Sequence, residues 1–169
     1  MRDKRFVAVH RGGLLSKEHH RLLINWAHIC AAHVLSYFGQ SIDERLNNAL
    51  KSAKAWEHEE ISVGEARNAS LEAIAVANEN SNPISIAVAR SVGHAVATAH
   101  MADHSLRAAD YALKAIKISG QSVDAERKWQ DEQLPLGIKD LVLSARNEIP
   151  SNKVFIKSKR KTNLTSIGS

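Results

Sequence analysis

Pro83-Ile-Ser-Ile-Ala-Val-Ala-Arg-Ser-Val-Gly-His-Ala-Val-Ala-Thr-Ala-His-Met101 is the stretch on which the fold turns. Proline is tolerated at the first position of a helix, where the amide hydrogen it lacks would have no partner. From Ile86 to Met101 small residues occupy most sides, so a helix here is predicted to be central and closely packed. A buried helix needs helical neighbours, and the flanking sequence supplies them.

Upstream, Ser16 opens a run in which Leu22, Trp26, Ile29, Cys30, His33 and Tyr37 recur at steps of three and four, with Gly39 as the expected stop. Ser41-Ile-Asp-Glu44 and Ser62-Val-Gly-Glu65 both have the capping-box spacing, in which a serine hydroxyl and a glutamate satisfy each other's backbone amides. Apolar stripes follow each, through Leu46, Ala49, Leu50, Ala53 and Trp56, and through Ala66, Ala69, Ala73, Ile74 and Ala77. Downstream, the pattern either continues or breaks near Ala102 and Asp103, and Leu106, Ala109, Leu113 and Ile116 then form an amphipathic run closed by Gly120. A shorter helix from Asp124 to Gln133 carries Trp129, and Pro135 starts a last one through Ile138, Leu141, Val142 and Ala145. The expectation is all-α: one domain of about seven antiparallel helices in a bundle or stack.

Composition agrees. The chain has 169 residues, 44% of them apolar, with 24 alanines against 3 prolines and 8 glycines, which favours helix and one core. Cys30 is the single cysteine, so no intramolecular disulfide forms. No apolar run has the length of a membrane span, and Phe6 to Val9 is too short for a signal-peptide core, so the expected address is cytoplasmic. The net charge of +5 comes entirely from Lys153, Lys157, Lys159, Arg160 and Lys161. Residues 1–149 hold 18 cationic and 18 acidic side chains, a neutral body that argues against nucleic acid as the partner. The chain thus divides into an N-terminal extension (1–13), a helical domain (14–149) and a basic tail (150–169) expected to be mobile or loosely docked.

The residues best suited to chemistry are His94, His100, Asp103 and His104. On a continuous helix His100 and His104, four apart, lie one above the other, the spacing by which helices offer two imidazoles to zinc. His94, six before His100, falls off that face, and Met101 stands where the familiar H-E-x-x-H zinc motif has its glutamate. Structural histidines in a crowded helical core are therefore the first reading. A metal site or enzyme using His94, His100 and His104, with Asp103 assisting, is the alternative. Cys30 lies on an apolar stripe, Glu57, Glu59 and Glu60 read as a solvated face, and Trp26, Trp56 and Trp129 read as core. No phosphate loop, dinucleotide fingerprint or nucleophile elbow occurs, so no catalytic residue and no cofactor is assigned.

Six segments together look familiar. They are His20-Arg-Leu-Leu23 with Trp26-Ala27; Ala55-Trp56; Gly64-Glu-Ala-Arg67; Gly93-His-Ala-Val-Ala-Thr-Ala-His100 with Ala102-Asp-His104; Tyr111-Ala-Leu-Lys-Ala115; and Glu126-Arg-Lys-Trp129-Gln with Gln133-Leu-Pro135. In this order and spacing, over residues 14–146, the chain resembles the immunity proteins of bacterial polymorphic toxin systems. The resemblance implies an all-helical cytoplasmic protein that protects the producing cell by binding a cognate toxin, without turnover. It assigns no role to His94, His100 or His104. Homo-oligomerisation is left open.

Overall fold

A computed structural model describes residues 2–148. The basic tail lies outside the described residues. Among the described residues there are seven α-helices, with three short 3₁₀ turns: α1 (Lys17–His33), α2 (Glu44–Glu57), α3 (Val63–Glu79), α4 (Pro83–Ala97), α5 (His104–Ile118), α6 (Val123–Glu132) and α7 (Leu136–Glu148). The fold is all-α, as the periodicity predicts.

Local chemistry fixes most of the helix starts. The Ser16, Ser62 and Ser122 hydroxyls accept from the third amide of α1, α3 and α6, and at Ser62 the Glu65 carboxylate completes the reciprocal box. Pro83 takes the first position of α4 behind an Asn82 cap. The other predicted box fails. Helix α2 begins at Glu44, capped by Asp43, which accepts from the Arg45 amide at 2.9 Å. Asp43 can do this because Arg45 folds back onto its carboxylate and on to Glu79, while the preceding Ile42 packs against the core. The stop of α1 also differs from expectation: the α-helix ends at His33, and a 3₁₀ turn over Leu35–Phe38 carries the chain to Gly39.

Helix α4 is central. It packs against α1, α2, α3 and α5, and ten of its fifteen residues are buried. Small side chains permit this. A Cβ on Gly93 would lie 2.9 Å from Ile74 Cγ1 of α3, so glycine sets how closely the two helices approach. A first cluster of Leu, Val and Ala side chains joins α1 to α4, and a second, built on Leu23, Trp26, Cys30, Ile138 and Val142, joins α1 to α7.

The second cluster encloses a polar network. Trp26 is fully buried and donates to the Gln130 carbonyl at 2.8 Å, while the Gln130 side-chain amide donates to the Ala109 carbonyl at 3.1 Å. The Arg146 guanidinium donates to the Gln130 and Asp131 side chains and lies 5.1 Å over the Trp26 ring. Four helices, α1, α5, α6 and α7, are thereby tied at one point, with no buried side-chain nitrogen or oxygen of the network left unpaired. Burial pushes the nearby Cys30 thiol far above its ordinary value, so it remains an inert packing group.

Of the three tryptophans only Trp26 is fully buried. Trp56 is half-buried at the end of α2 and packs against the first cluster, and Trp129 is half-buried and stacks on His33 at 3.6 Å. Of the three glutamates expected on a solvated face, Glu59 and Glu60 are exposed, Glu59 while bridging Lys17 and Arg21, and Glu57 is largely covered and pairs with Lys54.

The N-terminal residues fold back on the body. Val9 donates to the Leu15 carbonyl and Leu15 to the Val7 carbonyl, both at 3.0 Å, and Phe6 and Leu15 are buried in the second cluster. The Arg11-Gly-Gly13 turn permits the reversal. Gly12 adopts φ 84°, in the left-handed region, and a Cβ on Gly13 would meet the Val7 carbonyl oxygen at 2.0 Å.

Candidate binding cleft

Everything in the candidate site follows from a break between α4 and α5. Thr98 ends α4: its hydroxyl donates back to the His94 carbonyl at 3.1 Å, while the amides of Ala99 and His100 turn to carbonyls three residues back. The Thr98 carbonyl, which a continuing helix would offer to residue 102, accepts instead from His20 Nε2 at 2.6 Å. His100 therefore sits in the turn and His104 begins α5, so the two do not share one helix face. That expectation fails because the backbone groups that would continue the helix have other partners.

The same break brings His94 to His104. Their Nδ1 atoms are 2.8 Å apart, so one imidazole donates a proton and the other accepts it. Tyr111, His94, His104 and His100 form a column of rings with centroid separations of 5.2, 5.0 and 5.4 Å. Burial lowers the His94 pKa to about 4, helped by the charges of His104, Arg107 and Arg90. Among the described residues no set of three His, Cys, Asp or Glu side chains converges to hold a metal ion. The Nδ1 atoms of His94 and His104 are occupied by each other.

On the other side of the turn lies a cleft of about 710 Å³. Four separate parts of the chain wall it. Phe6, Val7 and Val9 come from the folded-back N-terminus and His20 and Arg21 from α1. Trp56, Ile61 and Val63 come from the α2–α3 junction, and His100, Met101 and Asp103 from the α4–α5 turn. His20 and Trp56 pack ring against ring at 4.7 Å, which fixes the floor. Apolar surface remains uncovered at the rim, where Val9 is 61% and Val63 40% exposed.

The charges around the cleft are unequal. Arg2, Arg11, Lys17 and Arg21 line it against Glu59 and Asp103. Glu59 already serves both Lys17 and Arg21, and it is held at φ 61°, the one non-glycine residue among those described with a left-handed backbone. Among the described residues Arg2 and Arg11 have no carboxylate partner: Arg2 donates to Met101 Sδ at 3.0 Å and Arg11 to the His100 carbonyl at 3.4 Å. His100 Nδ1 is buried and has no hydrogen-bond partner among the described residues. Burial, reinforced by Arg67, Arg11 and Arg2, holds this imidazole below its ordinary pKa, and Asp103 opposes the shift only in part.

Sequence reasoning singled out His100 and Asp103, for another purpose, and gave no cleft role to Arg2, Arg11, His20, Arg21 or Trp56. The segments carrying the family resemblance held part of the signal. His20, Arg21, Trp56, His100, Ala102 and Asp103 belong to three of them, distant in sequence, and all six line this one cleft. Arg2 and Arg11 lie outside those segments, and only the folding of the N-terminus brings them in.

No helix among the described residues is long and apolar enough to cross a membrane. Comparison with curated proteins and with solved structures finds no match. The sequence does match one family across 13–136, from the end of the N-terminal turn to the start of α7, and the chain belongs to that family, described as Imm-5 like putative immunity protein.

Proposed function

We propose that this chain is a bacterial immunity protein of a polymorphic toxin system, residing in the cytoplasm and neutralising a cognate toxin by binding it directly. Membership of the immunity family over residues 13–136 carries the reading. An inhibitor of this kind needs a rigid scaffold and a complementary surface, because covering the toxin's active site requires no bond to be made or broken. The alanine-packed core and the matched polar network supply rigidity, and the cleft with its uncovered apolar rim is a surface suited to a partner.

Co-expression with the toxin encoded beside this gene tests the proposal. The expected result is restored growth together with a complex that survives size-exclusion chromatography. Toxicity that persists alongside folded immunity protein, with no complex formed, would overturn it.

A further inference from the structure

The geometry points to the cleft between the N-terminal turn and the α4–α5 turn as the place where an acidic segment of the toxin docks. A carboxylate of that segment sits against Arg2 and Arg11, and its apolar neighbour packs on Val9 and Val63. This inference rests on the immunity reading and names the face and the chemistry of its partner. Two kinds of surface meet here. Val9 and Val63 are exposed apolar walls, and Arg2 and Arg11 are cations whose hydrogen bonds among the described residues go to a thioether and a carbonyl.

Charge complementarity identifies the occupant. Of the two carboxylates that line the cleft, Glu59 bridges Lys17 and Arg21 and Asp103 forms an ion pair with neither Arg2 nor Arg11, so among the described residues these two guanidiniums have no carboxylate. A partner carboxylate there would accept hydrogen bonds from groups that now lack an anion, at a position partly shielded from water by the apolar walls. An apolar or cationic segment would leave the guanidiniums unmatched or repelled. Arg2 and Arg11 are solvent-exposed, so much of their effect falls on the rate of encounter and on its sensitivity to salt.

Calorimetric titration of the full chain against the toxin encoded beside the gene tests this. Arg2→Glu/Arg11→Glu is expected to weaken binding by about tenfold or more and to flatten its dependence on salt. Lys128→Glu/Lys139→Glu carries the same change of charge on exposed positions of α6 and α7, and is expected to leave affinity within about twofold. Val63→Asp is expected to weaken binding without any change in the arginines. Thermal melting establishes that each variant is folded, and Arg2→Gln/Arg11→Gln replaces the reversal if it is not. An Asp or Glu→Lys substitution on the toxin that restores affinity to the Arg2→Glu/Arg11→Glu variant would identify the docked carboxylate. Full affinity in the folded arginine and Val63 variants would overturn the cleft while leaving the immunity reading standing, as would equal loss in the Lys128/Lys139 control. Failure of the unmodified chain to bind the toxin would overturn the immunity reading itself, and the inference with it.

Discussion

The α1–α6–α7 corner and the cleft both gather arginine, aromatic and carboxyl groups, yet they differ in what those groups lack. At the corner, Arg146 meets Gln130 and Asp131, Gln130 meets Ala109, and Trp26 meets Gln130, so no polar group in the network is left without a partner. At the cleft, among the described residues, Arg2 and Arg11 have no carboxylate and His100 Nδ1 has no hydrogen-bond partner. A buried polar network that is complete within the chain holds the fold together. One that is incomplete weakens the isolated fold and is explained if a second molecule completes it. Each region contains segments that carry the family resemblance, so the resemblance combines scaffold with surface.

Stability measurements should separate the two regions most sharply at the corner. Replacing Arg146 by Leu leaves the buried Gln130 oxygen unpaired and removes a largely buried charge pair with Asp131, a loss of about 3–5 kcal/mol in denaturant unfolding. Trp26→Ala falls in the same range, about 3–5 kcal/mol, from the cavity alone. A loss below about 1 kcal/mol in both would mean that the corner does not hold α1, α6 and α7 together.

Acid gives the next effect. Folding holds His94 at about 4, below its ordinary value, so the unfolded chain binds a proton more readily. The contribution of His94 is fully present above the ordinary value of 6.5 and is lost progressively as pH falls from there to about 4. His20, His28, His100 and His104 are shifted in the same direction and add to the slope. Stability measured across this window should fall with pH, and His94→Gln should flatten part of that limb. An unchanged slope in the variant would remove His94 from the account.

A smaller contrast lies in two helix ends of the same geometry. After α5, Gly120 and Gln121 donate to the Lys117 and Ile116 carbonyls, and after α2, Glu59 and Glu60 donate to those of Trp56 and Ala55. Both turns need a left-handed residue, which is Gly120 at φ 82° in one and Glu59 at φ 61° in the other. Gly120→Ala should therefore cost about 1 kcal/mol. Glu59→Gly relieves the backbone but frees Lys17 and Arg21, so it should change stability little while making the cleft more cationic. The smallest effect on stability is expected from Arg2→Glu/Arg11→Glu, within about 0.5 kcal/mol, because each residue loses only one exposed hydrogen bond, to Met101 Sδ and to the His100 carbonyl. A large loss there would make the two arginines part of the scaffold.

Much of the scaffold was legible because it is written locally. The serines at 16 and 62, Pro83 and Gly120 each act within one turn of where they stand, and the run of small residues from Ile86 marks the central helix. The site was less legible because competition between distant groups decides it. No spacing rule reveals that His20 takes the Thr98 carbonyl, yet that bond accompanies the end of α4, sets His100 in a turn and brings His94 to His104. Ser41 illustrates the same limit, since its box fails where Arg45 draws Asp43 into the capping role. The cleft depends further on a Gly-Gly turn that folds residues 2–15 over helices they precede in sequence.

Amide hydrogen exchange of the full chain, with and without its toxin, tests the central claim most directly. The account predicts slowed exchange in residues 5–11, 56–63 and 98–103 on complex formation, with the α6–α7 corner unchanged. Protection confined to α6 and α7, with the cleft exchanging as in the free protein, would contradict it.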